Sequence, residues 1–277
     1  MPNSPIAYYK RAADYIFSRY ILNRPYLIGS SEEYGLRLKF KTQDGGGRAI
    51  FKKGTYEPEI TELLIRNLKL KDGDVVLDVG ANIGWYSSLI SRFEHADIKI
   101  HCFEPDPDNY DCLIHNLKLN HADKVSAHNL GVSDTTGTKT LYLYKKSNTG
   151  RHSMLEINTG DSIDVKTVSF DDFLKEQQID VSKVKFLKID IEGFEYYAFK
   201  GGSQLLGSLP YIIAEYSPGY MRKGGVDPAD LIQLMKAHNY SPHKIDQGIQ
   251  EVGEAELLAR EHNINILWVK SGYPVWQ

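Results

Sequence analysis

Two carboxylates close apolar runs in the second half of this chain, Asp190 in KIDIEGFE and Glu215 in YIIAEYSP, and Glu192 lies just beyond the first. A short apolar run of this kind reads as a buried strand, and in an open α/β sheet ligands gather outside the carboxyl ends of the strands. Two acids at neighbouring strand ends suit two kinds of chemistry. They can hold a hard divalent cation such as Mg2+ through oxygen ligands, or act without metal as a base and its orienting partner. His152, in the loop Gly150-Arg151-His152-Ser153, is a further candidate to take a proton, because imidazole titrates near neutrality. For each acid, a helix cap or a salt bridge to Lys188 is the plainer structural alternative.

A second group of residues has the spacing of a nucleotide site. In Asp78-Val79-Gly80-Ala81-Asn82-Ile83-Gly84 an apolar strand ends at Asp78, and two glycines flank a tight turn that opens a helix. Glycine lets the backbone approach a ligand closely at a helix start. The next apolar run ends in Phe103-Glu104-Pro105-Asp106, which places Glu104 where a carboxylate accepts hydrogen bonds from ribose hydroxyls. A third strand ends in Leu130-Gly131-Val132-Ser133-Asp134, where Val132 would offer an apolar face and Ser133 a polar edge to an adenine. Tyr56 and Glu57, just ahead of the first large helix, are positioned to close over the far end of such a ligand.

The elements that must hold these residues follow from periodicity. Strands are expected at Val75–Val79, Ile98–Phe103, Val125–Leu130, Val184–Asp190, Tyr211–Tyr216, Ser241–Ile245 and Ile264–Val269, with helices between them, the alternation of a parallel sheet. An insertion from Ser133 to Val168, with the alternating run Thr140–Tyr144, reads as a hairpin plus a mobile loop. Ahead of Pro58, the aromatic and basic segment YYKRAADYIFSRYILNR (Tyr8–Arg24) has helical spacing. Tyr34–Phe40 alternates like a strand, and Asp44-Gly45-Gly46-Gly47 reads as a turn into a second short strand. The expected organisation is an N-terminal cap over residues 1–57 and a main domain over 58–277.

Composition narrows the partners. With 33 basic and 36 acidic residues the net charge is -3, without the basic excess of a dedicated nucleic-acid binder. The two cysteines, Cys102 and Cys112, are too few for a disulfide framework or a thiolate zinc site. No apolar stretch approaches the roughly 20 residues that span a bilayer, and no secretory signal opens the chain, so a cytoplasmic enzyme is expected. The N-terminal segment is an amphipathic helix packed on the main domain, or a surface for acceptor, partner subunit or membrane headgroups. Homo-oligomerisation is left open.

These motifs resemble the FkbM family of S-adenosylmethionine-dependent methyltransferases from about Gly54 to Lys270. The resemblance is carried by Gly54-Thr55-Tyr56-Glu57-Pro58, DVGANIG with Ser87-Ser88, Phe103-Glu104-Pro105-Asp106-Pro107, the Gly131-Val132-Ser133 segment, Phe186–Glu195 and Asn265-Ile266-Leu267. It implies the class I methyltransferase fold, an α/β Rossmann-like, mostly parallel seven-stranded sheet with helices on both faces and the last strand antiparallel. It further implies S-adenosylmethionine as cofactor and a hydroxyl acceptor, often on a sugar or natural product. Asp78, Gly80, Asn82 and Glu104 would touch the cofactor, with Gly84, Ser88, Pro105 and Asp106 beside them. Methyl transfer to a nucleic-acid base, an NAD-dependent oxidoreductase and a non-catalytic cofactor-binding protein are the alternatives. The departure from G-x-G-x-x-G and the absence of an Asn/Asp-Pro-Pro-aromatic tetrapeptide speak against the first two.

Overall fold

The computed structural model describes residues 5–145, 149–157, 160–246 and 248–277. From the N-terminus, helix α1 (Pro5–Ile16) runs into a wider π-type turn over Phe17–Ile21, and a hairpin follows from β1 (Tyr26–Ser31) and β2 (Leu36–Lys41). The Asp44-Gly45-Gly46-Gly47 run does not lead into a strand. It opens helix α2 (Gly45–Lys53), where the Asp44 side chain accepts the Gly47 N–H. An aspartate in this place is a strong N-cap, and Gly47 is small for a separate reason: a Cβ there would lie 2.3 Å from the Phe40 ring. Helix α3 (Pro58–Asn67) then leads into the central sheet.

The sheet is built from β3 (Val75–Val79), β4 (Lys99–Phe103), β5 (Val125–His128), β9 (Val184–Ile189), β10 (Tyr211–Tyr216), β11 (Tyr240–Ile245), β12 (Ile249–Glu251) and β13 (Ile264–Lys270). Their order across it is β12-β11-β13-β10-β9-β3-β4-β5. The pairs from β10 to β5 are parallel, while β13 runs antiparallel to both β10 and β11. All seven expected strands are present. The short edge strand β12 makes the count eight, and three residues are too few to leave a periodic signal.

The expected third strand stops at His128 instead of Leu130. Gly131–Val132 form β6 in a separate small sheet with β7 (Gly137–Tyr142) and β8 (Ser162–Val168), in the order β6-β8-β7. The hairpin expected within Ser133–Val168 is the antiparallel β7–β8 pair. Parts of the expected mobile loop, 146–148 and 158–159, lie outside the described residues.

Alternate residues of each strand serve opposite faces of the sheet. Leu77, Leu187 and Ile212 face one core, with Phe170, Phe199, Leu231 and Trp268. Val76, Phe186 and Ile213 face the other, with Leu64, Trp85 and Leu89 of α3 and α4 (Trp85–Phe93). Leu36, Leu38 and Phe40 of the N-terminal hairpin belong to that second core. The hairpin also has a polar tie to α5 (Pro107–Leu119), made by Asn116 and by Asn120 at its C-terminal cap. Lys39 donates its N–H to Asn116 Oδ1 at 2.7 Å and its carbonyl accepts from Asn116 Nδ2 at 2.9 Å. Arg37 exchanges the same two bonds with Asn120, at 2.9 and 2.7 Å. Asn116 Nδ2 also donates to the Ile83 carbonyl at 2.9 Å, so one amide links the hairpin to the DVGANIG loop. Both cysteines are buried free thiols.

Removing that amide leaves buried backbone groups unpaired, at about 1–3 kcal/mol for each group that water does not reach. Asn116→Ala is therefore expected to lower the unfolding free energy by about 2–3 kcal/mol, measured by urea denaturation, and to weaken cofactor binding with it.

Candidate functional site

The DVGANIG loop is fastened to its neighbours before any ligand arrives. The N–H groups of Gly80 and Ala81 both donate to the Phe103 carbonyl, at 3.0 and 2.9 Å. Gly80 has φ +77°, and a Cβ there would lie 1.9 Å from the Asp190 carbonyl oxygen. No other residue type fits that approach between the ends of β3 and β9. Asp78 is buried and accepts from Ser87 Oγ at 2.5 Å, with burial raising its pKa.

Glu104 spends one lone pair of each carboxylate oxygen on the backbone, accepting the Asn82 N–H at 2.9 Å and the Asp106 N–H at 3.0 Å. The Asn109 side chain bonds it as well, and the acceptor capacity left over suits a ribose hydroxyl. Burial pushes its pKa up to about 8. The helix cap belongs to Asp106, whose Oδ1 accepts from Asn109 N at 2.8 Å, and not to Glu104.

Beside the loop lies a cavity of about 340 Å3 lined by Tyr56, Glu57, Asp78, Gly80, Asn82, Lys188, Asp190, Glu192 and Glu215, with Gly45–Gly47, Trp85, Tyr86 and Arg151 on its wall. Ligand pockets of small-molecule enzymes are typically this size or larger. A crevice of about 40 Å3 continues from it, sharing Gly80, Asn82, Gly150 and Asp190 and adding Glu104, Pro105, Leu141, His152, Met154 and Ile191. Seven non-glycine residues among those described have positive φ, and three of them, Glu57 (39°), Asn82 (49°) and Glu192 (54°), line the main cavity. Such backbone costs energy and persists where surrounding structure enforces it, commonly at functional sites.

The acids form one cluster. Ligand oxygens of Asp190, Glu192 and Glu215 lie within 4.8 Å of one another. Burial, reinforced by the neighbouring carboxylates, pushes Glu215 up to about 7 and Glu192 up to about 10. Ser217 Oγ donates to Glu215, and Lys188 Nζ lies 3.4 Å from Asp190 Oδ2. Glu57 is fixed at both oxygens, by Tyr86 OH at 2.5 Å and Asn265 Nδ2 at 3.3 Å.

Several expected residues lie elsewhere. Gly131, Val132 and Ser133 line neither space: β6 pairs with Thr167 and Val168, Val132 joins the core, and Ser133 Oγ donates to Asp134. Leu141, Met154, Pro105 and Ile191 supply the apolar wall instead. Gly84 caps α4 with its backbone and Ser88 is buried inside that helix, so both shape the loop from behind. His152 lines the crevice, where its Nδ1 accepts the Tyr144 N–H at 2.9 Å and its Nε2 is 3.9 Å from Asp106. With Nδ1 so occupied, the neutral ring carries its proton on Nε2 and has no lone pair free for a substrate. The sequence reading missed Arg151, Tyr86 and the glycines of α2 as cavity walls, and took Lys188 only as a salt-bridge partner. A lysine inside the apolar run FLKI was the visible signal.

The residues fit an adenosyl sulfonium ligand. Asn82 Oδ1 and Glu192 Oε2 are buried without a partner, and the acidic lining complements a ligand of net positive charge. The sheet order, the antiparallel last strand and a cofactor loop at the carboxyl edge define a class I S-adenosylmethionine-dependent methyltransferase. The chain belongs to the FkbM methyltransferase family, whose domain model, Methyltransferase FkbM domain, matches residues 78–242. It is 28% identical over 179 residues to the hexuronic acid methyltransferase AglP of Haloferax volcanii, covering 65% of this chain and 67% of that protein. It is 27% identical over 167 residues to the 31-O-demethyl-FK506 methyltransferase FkbM of Streptomyces tacrolimicus, covering 50% and 63%. The matches thus span about two thirds of those relatives' length. A solved structure of methyltransferase FkbM from Methylobacillus flagellatus KT is 18% identical, covers 73% of this chain and 45% of its own, and superposes with a TM-score of 0.46.

Leaving a buried polar group without its hydrogen-bond partner costs about 1–3 kcal/mol. Glu104→Ala is therefore expected to weaken S-adenosylmethionine binding in calorimetry by at least about tenfold, and Gly80→Ala to abolish it; wild-type affinity in Glu104→Ala would remove that residue from the cofactor site.

Proposed function

We propose that this protein is an O-methyltransferase acting on a hydroxyl of a sugar, glycan or glycosylated natural product. The observation that carries the reading is the cluster of Asp190, Glu192 and Glu215 at adjacent strand ends, in the cavity that adjoins the cofactor loop. The names of two relatives agree with it: one acts on a hexuronic acid, and the other carries an O-methyl designation.

When bound, S-adenosylmethionine supplies an electrophilic methyl group on a sulfonium. The chain's part is alignment, exclusion of water and removal of a proton. A sugar hydroxyl is a poor nucleophile near neutral pH until a base withdraws its proton. Glu215 is suited to that task, with a pKa of about 7 set by burial and then by Asp190, and Ser217 orients its carboxylate. Asp190, held by Lys188, orients the acceptor oxygen. Tyr56 and Tyr86 close the dry side of the cavity, their rings 6.3 Å apart. Glu104, Asn82 and Gly80 hold the adenosyl end.

A second reading places a hard divalent cation, Mg2+, between Asp190 and Glu215 with Glu192 as a third oxygen donor, supported by the closeness of the three carboxylates. Oxygen donors in this number suit such an ion. In that arrangement the acids would fix the acceptor oxygen through the cation, and proton removal would be easier by Lewis-acid polarisation.

General-base catalysis contributes about 10²–10⁴-fold. Glu215→Gln is expected to lower kcat with nucleotide-sugar or glycoside acceptors by that factor while calorimetric affinity for S-adenosylmethionine stays within about threefold. Full activity in the substituted enzyme would sink the base assignment, and product methylated on nitrogen or carbon would sink the O-methyl reading. In parallel, activity that survives EDTA and does not respond to added Mg2+ would leave the metal-free version standing.

A further inference from the structure

Among the described residues, twelve large apolar side chains are exposed, and nine of them fall between Tyr8 and Ile28. They do not belong to the methyl-transfer site. Helix α1 is pinned to the body by Tyr15, which is buried and donates its hydroxyl to the Thr42 carbonyl, and by Arg19, which bonds Tyr15 OH at 2.7 Å and the same carbonyl at 2.9 Å. Ile16, next to Tyr15, is exposed, as are Tyr9 (71%), Tyr20 (66%) and Ile21 (69%). The hairpin repeats the pattern, with burial alternating along β1 so that Tyr26 and Ile28 face outward. Their cross-strand partners are Lys41 and Lys39.

Cations interleave with these rings. Arg19 lies 5.0 Å from the Tyr20 ring centroid and Lys39 lies 4.5 Å from that of Tyr26. Residues 1–41 carry a net charge of +4, in a chain whose total is -3. The rest of the molecule is therefore acidic, and the charge is polarised toward one end of the sequence.

We propose that this N-terminal surface seats the enzyme on an anionic phospholipid bilayer. Tyrosine favours the level of the headgroups, where its ring is apolar and its hydroxyl wet. Exposed isoleucine, leucine and phenylalanine reach the acyl boundary, as in helices that lie in the membrane plane. Each basic residue near an anionic surface adds about a fivefold gain in partitioning, and the acidic remainder of the molecule is repelled, which sets the orientation. No helix among the described residues is long and apolar enough to cross a membrane, so the contact is peripheral. A second copy of the chain is a poorer fit, because the cores of protein interfaces are depleted of lysine and this surface repeats its own positive charge.

The experiment is flotation of the full chain with vesicles of phosphatidylcholine alone, or with phosphatidylglycerol as about a third of the lipid. Binding is expected only to the anionic vesicles, and to fall with added salt. The pairs Lys10→Glu with Arg24→Glu and Tyr20→Ser with Ile21→Ser should each weaken it by about tenfold or more, with melting temperature and S-adenosylmethionine affinity unchanged. The charge pair keeps the test alive if the apolar pair fails to fold. Equal binding to both vesicles, binding to neither, or wild-type binding by the charge pair overturns the proposal. So does a dimer in sedimentation equilibrium that Tyr20→Ser with Ile21→Ser dissociates while anionic vesicles are ignored.

Discussion

Lys188 is buried in the fourth parallel strand of the sheet, where burial alone would strip its charge. Asp190, then Glu57, Glu215 and Asp78 hold its pKa above the usual lysine range instead. Those four carboxylates come from four places: the turn after β9, the start of α3, the end of β10 and the end of β3. A buried charge is tolerable only when it is paired, so one ammonium group requires four elements to arrive at one edge of the sheet in register. The cavity is what remains between them. Its acidic excess follows from the same arrangement, since one lysine does not neutralise Asp78, Glu57, Asp190 and Glu215 together.

The second constraint is steric. Gly80 touches the Asp190 carbonyl with no room for a methyl group, which fixes the DVGANIG loop against the turn that carries Asp190 and Glu192. Methyl transfer depends on an in-line approach, and a misplacement on the order of 1 Å is costly. Contact between the two backbones sets that spacing without relying on side-chain rotamers. Glu104 extends the same rigidity outward, because its carboxylate bonds the loop at Asn82 and the helix entrance at Asp106.

Much of this was legible in the chain because the information is local. DVGANIG, FEPD and KIDIEGFE each couple a strand to its own terminus, and a parallel sheet puts all such termini on one edge. What sequence could not place was decided by partners far along the chain. Gly131 and Val132 are drawn into a second sheet by Thr167 and Val168, and Met154, packed against Gly131, lines the crevice in their place. Three glycines after Asp44 resemble a turn in isolation, but Phe40 needs the space that Gly47 leaves, and the helix proceeds. His152 has the right chemistry for a base, yet the Tyr144 backbone already uses its lone pair. Arg151 and Tyr86 carry no motif of their own and become visible only once the cavity is enclosed.

The amides of Asn116 and Asn120 meet the outer edge of β2 as a neighbouring strand would, each offering one donor and one acceptor. An open strand edge is a template on which another chain can add. Here that template is occupied by a helix whose own hydrogen bonds are complete, so the hairpin gains a counterfeit third strand at no risk of runaway pairing. A surface crowded with exposed tyrosine and isoleucine thereby keeps its backbone unavailable for cross-β growth along that side, and stickiness is confined to side chains.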